Sequence, residues 1–329
     1  MSDVFPSDPI DPFDGETLDV VIPSTLDDTR IDRVLSMLTG LSRNDATDLL
    51  RDAKVVVNEK VIIKGSVHVF MGQHLVALLP APDDGTVTPD PSVFVDVVYD
   101  DPDFAVINKQ SGQVVHPGAG QRDGTLVAGL LAKFPEMQVL SDEGLSDPFR
   151  PGIVHRLDKG TSGVLVVAKT ARGLVNLREQ LARRDMERTY LGLVEGHVTE
   201  ERGVVDAPIG RSTRTPTLMA VRSDGRESRT GYDVLLRIDK PQPVTLLKLS
   251  LDTGRTHQIR VHMATIGHPV VNDPRYGHRR DRRLPEDRFF LHSRTLGFAH
   301  PVTGEWVHAE APLPSDLAAL VPDFADADF

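Results

Sequence analysis

The stretch Gly152-Ile153-Val154-His155-Arg156-Leu157-Asp158-Lys159-Gly160-Thr161-Ser162-Gly163-Val164-Leu165-Val166-Val167-Ala168 decides how the rest of the chain is read. Two apolar runs, 152–154 and 164–168, flank a short polar segment, which reads as two buried strands joined by a turn. Gly160 and Gly163 suit that turn because glycine accepts backbone angles that other residues resist. Thr161 and Ser162 can bond locally and hold it. One acid, Asp158, stands between the cations Arg156 and Lys159. An Asp in a turn is often a mere cap, but a carboxylate presented on a loop from a rigid scaffold is also where function commonly sits.

Working outward, residues 93–310 read as one large domain. Val93–Tyr99 and Phe104–Ile107 look like paired strands around Asp100-Asp101-Pro102-Asp103. Leu174, Leu177 and Leu181 mark a helix after the central turn. Arg188–Val194 and Val244–Leu251 look like strands. Thr256 is expected to cap a helix through Ile259, Met263 and Ile266. His292–Ala309 looks like a late hairpin turning at His300-Pro301-Val302-Thr303-Gly304. Many strands with mixed connections indicate an α+β fold with a mixed, largely antiparallel sheet rather than a doubly wound parallel one.

A smaller module, 24–79, precedes this domain. Ile31, Val34, Leu35 and Leu38 have the spacing of one helical face, and Gly40 stops that helix. Ser42 with Asp45 resembles a capping box, opening a second helix with Ala46, Leu49 and Leu50 inward. Val55-Val56-Val57 and Val61-Ile62-Ile63 bracket a hairpin, and Leu75–Leu79 supplies another strand. Arg30, Arg43, Lys54 and Lys60 lie where they could meet phosphates, at helix starts or beside the hairpin, although five acids lie among them between residues 30 and 64. Residues 80–92 read as a Pro, Asp and Gly-rich linker. Residues 1–23 read as an acidic flexible N-terminus, with Leu18–Ile22 able to add a short strand. Residues 311–329 read as an acidic solvated tail.

The chain has 329 residues, 40% of them hydrophobic, enough for a globular protein of more than one domain. No apolar run approaches bilayer-spanning length, and the opening residues lack a basic region followed by an apolar stretch, so a secretory signal is not expected. It contains no cysteine, which excludes disulfides and thiolate metal sites and suits a cytoplasmic location. The net charge of -11 argues against nucleic acid only until its distribution is seen. The two ends hold 13 acids and no Lys or Arg, so residues 29–308 carry 37 bases against 35 acids. The body can therefore present a basic face.

Known signatures are absent. There is no Gly-Lys pair for a phosphate loop, no dinucleotide fingerprint, no His-Glu-x-x-His helix and no nucleophile elbow. His257 and His262 have Arg260 between them, which opposes a bound cation, so no metal is expected. His116, before Pro117-Gly118, reads as a structural turn residue. What remains is a carboxylate with Arg and Tyr partners elsewhere. Leu251–His262 is dense in polar groups where a strand yields to a helix. Tyr190 sits in an apolar strand, where a Tyr is usually core or rim.

Together these segments resemble the RluA/RluD family of pseudouridine synthases. The resemblance rests on His155-Arg156-Leu157-Asp158 with Thr161-Ser162-Gly163, on Tyr190, and on Gly254-Arg255-Thr256-His257-Gln258-Ile259-Arg260. Asn108-Lys109 with Val115-His116-Pro117-Gly118, and Leu291-His292-Ser293 with His300-Pro301, also fit. Residues 24–79 resemble an RNA-binding module related to ribosomal protein S-four. Gly160, Val164 and Asn272 depart from the family's usual residues.

The resemblance implies isomerisation of uridine to pseudouridine in structured RNA, most of all large-subunit ribosomal RNA, by a cytoplasmic monomer that uses no cofactor. Asp158 would be the essential acid, as nucleophile or as the base removing a sugar proton. Arg260 would pair with it, holding it charged and aimed. Tyr190 would stack on the uracil and aid the late deprotonation at carbon. Lys109, His155, Arg156, Arg255 and His257 would contact RNA, with Arg30, Arg43, Lys54 and Lys60 of the first module. Arg172, Arg178, Arg183 and Arg184 form a further basic stripe, and residues 275–283 a mobile basic loop. Other readings stay open: an RNA-binding ribosome-assembly factor with secondary or no catalysis, a transfer RNA pseudouridine synthase, or a glycoside hydrolase. The last would need a second acid, which does not stand out.

Overall fold

The computed structural model describes residues 17–79, 86–118, 121–215 and 217–324. They form two compact units divided between Thr86 and Val87.

The first unit runs β1 (Thr17–Val21), β2 (Thr29–Arg30), α1 (Ile31–Thr39), α2 (Arg43–Arg51), β3 (Val55–Val57), β4 (Lys60–Val61), β5 (His68–Val69) and β6 (His74–Leu78). Its main sheet has the order β1-β6-β3-β4. The Ser42 side chain accepts from the Asp45 backbone N–H and opens α2, while Gly40 in a left-handed conformation closes α1. Ile31, Val34 and Leu35 pack with Ala46, Leu49, Leu50, Val55 and Leu75 in one core. The sequence reading starts this module at 24, but β1 pairs along β6 and Ile22 lies in the core, so the unit begins earlier. The acid-rich residues 1–16 lie outside the described residues.

The second unit runs β7 (Val97–Asp100), β8 (Phe104–Lys109), α3 (Leu126–Lys133), α4 (Val139–Asp142), β9 (Ser162–Ala168), α5 (Ala171–Arg183), β10 (Glu187–Glu195), β11 (Arg202–Asp206), β12 (Ile209–Arg211), β13 (Met219–Val221), β14 (Arg229–Ile238), β15 (Val244–Leu251), α6 (Gln258–Thr265), β16 (Leu291–Ala299), β17 (Trp306–Glu310) and α7 (Ser315–Ala318). Nine strands form one sheet in the order β11-β14-β15-β10-β16-β9-β8-β7, with β17 on β16. Every pairing is antiparallel except β16 with β9. The fold is α+β with a largely antiparallel sheet.

The central strands are buried on both faces. In β9, Leu165 and Val167 face one core while Val164, Val166 and Ala168 face another. That explains a continuous apolar run in place of alternation. The expected linker ends early, because Val87 joins the core and Asp90 N–H bonds to Ala128 O; residues 80–85 lie outside the described residues. The expected solvated tail is also packed as far as it is described. Leu317, Leu320 and Val321 share a core with Leu191, Leu246 and Phe290. Their apolar spacing is short and set among acids, which hid it. Among the described residues, no helix is long and apolar enough to cross a membrane.

Candidate active site

A cleft of about 620 Å³ opens in the second unit. Three segments build it: the turn leading into β9, the start of β10, and the loop from β15 into α6. The turn supplies His155, Arg156 and Asp158, β10 supplies Arg188 and Tyr190, and the loop and helix supply Arg255, His257 and Arg260.

The turn is held by parts distant in sequence. Gly163 has φ +110, and a side chain there would collide with Ser293 backbone. Gly160 has no such angle; it is required because the Asp287 backbone and the Phe289 ring approach too closely for a Cβ. Ser162 does not bond locally as the sequence suggests. Its hydroxyl meets His292 Nδ1 at 2.9 Å and accepts from Arg288 Nη2 at 3.0 Å. Arg288 also donates to Gly160 O and to Asp316 of α7. The side-chain amide of Asn272, left-handed at φ +62, donates to Pro285 O and Arg288 O and so anchors the same region.

Arg260 lies on the first turns of α6, almost fully buried. Its Nη1 donates to Asp158 Oδ2 at 2.9 Å. Its Nε and Nη2 donate to the two oxygens of Asp273 at 2.7 and 2.8 Å. The guanidinium also lies over the Phe289 ring, 4.3 Å from its centroid, a cation–π contact. Burial alone would lower its pKa, but the bonds and charges of Asp273 and Asp158 outweigh that and shift it upward. Asp273 and Phe289 were not singled out from the sequence. Asp273 lies thirteen positions beyond Arg260, and only the apolar Val270-Val271 before it hinted at burial.

Tyr190 is buried at a register shift of β10 against β16. Burial raises its phenol pKa, and the charge of nearby Arg188 opposes the rise. Arg188 donates from Nη2 to Leu251 O at 3.1 Å, and its own pKa is lowered by burial.

The other expected contacts divide. Arg156 reaches the cleft with Nη1 3.2 Å from His116 Nε2, whose Nδ1 faces Pro117 O. His116, expected only to shape a turn, therefore also holds a cleft arginine. Arg255 donates from Nε to Glu227 O. From the helical stripe, Arg178 and Arg184 line the cleft, joined by Arg150, with Arg184 paired to Glu227 and Arg178 donating to Leu145 O; Arg172 and Arg183 lie outside it, paired with Asp103 and Asp185. Lys109 is a correction. It is wholly buried, and its Nζ donates to Gln110 O and Gln113 O. It ties loops together beneath the turn and cannot reach a phosphate from there; burial lowers its pKa to about 7. His155 lines the cleft, but its Nε2 accepts the Val166 N–H at 3.2 Å, so its ring braces β9. Burial lowers its pKa to about 3.

Two local expectations also change. Thr256 does not cap α6; His257 does so by position, at φ +57 and with no side-chain cap bond. The helix start is secured by Gln258, whose Oε1 accepts from Thr253 Oγ1 and the Arg255 N–H. The expected mobile basic loop is anchored: Glu195 accepts the His278 and Arg279 N–H groups, and Asn272 accepts that of Asp281.

In the first unit, Arg30 is held bidentately by Asp32. Lys54 lies at the edge of ion-pair range of Asp52. Arg43 and Lys60 are exposed.

Residues 103–265, which include Asp158, Tyr190 and Arg260, match the family model described as RNA pseudouridylate synthase. An uncharacterised RNA pseudouridine synthase of Bacillus subtilis is 39% identical over 305 residues, covering 92% of this chain and 97% of that protein. The chain belongs to the RNA pseudouridylate synthase family. The chain is 38% identical over 314 residues to the ribosomal large subunit pseudouridine synthase D of Escherichia coli K12, covering 91% of each. The solved structure of human RNA pseudouridylate synthase domain containing 1 aligns with a TM-score of 0.55 at 32% identity, covering 71% of this chain and 89% of that one. This pseudouridine synthase is therefore an isomerase acting on RNA.

Proposed function

We propose that this synthase isomerises uridines of large-subunit ribosomal RNA, with Asp158 as the essential acid and without a cofactor. The observation that carries the reading is the 2.9 Å approach of Arg260 to Asp158 in the cleft that Tyr190 also lines. The name of the Escherichia coli relative supports the choice of RNA.

In the reaction the N1–C1′ bond breaks, the base turns, and a C5–C1′ bond forms. C5 loses a proton and N1 gains one, so atoms and electrons balance without a donor or an oxidant. Asp158 serves as nucleophile or takes a sugar proton; either role needs an aimed carboxylate. Arg260 engages one of its oxygens and is itself fixed by Asp273, which gives the aim. Tyr190 stacks on the uracil, and the cation of Arg188 beside it favours the phenolate, the form that can take the proton C5 must lose. The floor formed by the buried Tyr190 and Arg260 limits water while the detached base turns.

The uridine must leave its stack to reach this floor, at a cost of a few kcal/mol. Arg150, Arg156, Arg178, Arg184 and Arg255 around the cleft supply phosphate contacts that offset it. Arg43 and Lys60 of the first unit add contacts to the same RNA.

Purified protein incubated with large-subunit and transfer RNA transcripts, with no added cofactor, tests this by mapping pseudouridine. Product in large-subunit RNA is expected. Product confined to transfer RNA would overturn the substrate, and none in either would overturn the reading.

A further inference from the structure

We propose that Tyr276 is a positioning residue that fixes His257 as its Nε2–H tautomer, turned toward Asp158. The inference rests on the reading of Asp158 given above, and its own basis is a chain of hydrogen bonds. The Met219 backbone N–H, in β13, donates to Tyr276 Oη at 2.9 Å. Tyr276 Oη lies 2.8 Å from His257 Nδ1. His257 Nε2 lies 4.0 Å from Asp158 Oδ2.

A phenol has one proton to give. With Met219 occupying the oxygen as a donor, the proton is directed to His257 Nδ1. A neutral imidazole that accepts at Nδ1 carries its proton on Nε2. The opposite tautomer would set an Nδ1–H on the phenol oxygen and leave the phenol proton without its nearest acceptor. Burial keeps both groups neutral, lowering the pKa of His257 and raising that of Tyr276. The charges around His257 are Asp158 and Asp273 against Arg260 and Arg275.

Backbone geometry shows that the ring is deliberately placed. His257 holds φ +57, a left-handed angle uncommon outside glycine. The ring stands edge-on to Tyr276, with centroids 5.5 Å apart. Tyr276 is seated twice more: Asp273 accepts its N–H, and its ring lies under the Arg260 guanidinium. The neighbouring Arg275 bonds to Thr217 O in the β12–β13 connection. One tyrosine thus ties the hairpin, the arginine clamp and the imidazole facing the acid. The Nε2–H presents the positive end of its bond to Asp158, or to a substrate oxygen beside it.

The test is the tautomer itself. Imidazole nitrogens are read by long-range proton–nitrogen correlation in 15N-labelled full-length protein, with His257 assigned by the signal lost in His257→Gln. The wild type is expected to show a protonated Nε2 and a bare Nδ1. Tyr276→Phe keeps the ring against Arg260 and removes only the hydroxyl; it should give mixed tautomers. It should also lower the single-turnover rate about tenfold or more, with RNA affinity within about twofold. Tyr276→Phe combined with His257→Gln should be no slower than His257→Gln alone, since Tyr276 acts through His257. A wild-type Nδ1–H tautomer, an unchanged tautomer in Tyr276→Phe, or additive losses in the double variant would overturn the inference. Failure of the underlying reading looks different: a wild-type enzyme with the expected tautomer that forms no pseudouridine.

Discussion

Asp273 holds Arg260 by both carboxylate oxygens, at 2.7 and 2.8 Å, and leaves the third guanidinium nitrogen to Asp158 at 2.9 Å. The arginine is therefore aimed by an acid that does not itself line the cleft. Removing the Asp273 charge leaves the buried guanidinium with Asp158 as its remaining counter-charge, a costly loss for a buried ion pair. Asp273→Asn should cost about 3 kcal/mol in urea unfolding. It should also slow single-turnover pseudouridine formation by about 10²-fold at a temperature where the variant is folded. A stable variant with an unchanged rate would show that Arg260 needs no clamp.

Tyr190 separates stacking from proton transfer. Tyr190→Phe keeps the ring and loses the hydroxyl. It should bind RNA as the wild type does, yet form product about 10²-fold more slowly. Tyr190→Leu should also weaken binding, by about 1–3 kcal/mol, because stacking is lost. Equal rates in Tyr190→Phe and wild type would remove the hydroxyl from the mechanism.

The cleft arginines should show themselves through salt. Each phosphate contact to single-stranded nucleic acid contributes about 0.7 to the slope of log affinity against log salt. Replacing Arg156, Arg184 and Arg255 together by Ala should lower that slope by about 2, measured by filter binding between low and moderate salt. An unchanged slope would place the RNA elsewhere.

The acid, the tyrosine and Arg260 stood inside recognisable local patterns, and the strand periods around them led to an α+β sheet. Asp273, Phe289 and the Met219–Tyr276 link were not legible, because they become neighbours only when loops distant in the chain close over α6. Lys109 misled for a related reason. Its charge suggested a phosphate contact, yet Gln110 and Gln113 carbonyls beneath the turn bury it. Leu317, Leu320 and Val321 gave too short an apolar pattern to stand out from the acids beside them.

His155 makes stability depend on acid. Its Nε2 must stay bare to accept the Val166 N–H, and its pKa in the folded chain is about 3 against an ordinary 6.5. Below pH 6.5 the unfolded chain takes up a proton that the folded chain refuses. Stability from this group is complete above pH 6.5 and is lost as pH falls toward 3, by up to about 1.4 kcal/mol per pH unit. Urea unfolding at pH 7 and pH 5 should therefore show a steeper loss for wild type than for His155→Asn. Parallel losses would contradict the assignment.

The most direct test of the account follows the proton on C5. RNA carrying tritium at C5 of its uridines is mixed with excess enzyme, and release of tritium to water is timed for wild type and for Asp158→Asn, with folding of both checked by circular dichroism. The account predicts release by the wild type without added cofactor and none above background by the folded Asp158→Asn protein. Release by Asp158→Asn at the wild-type rate would contradict it.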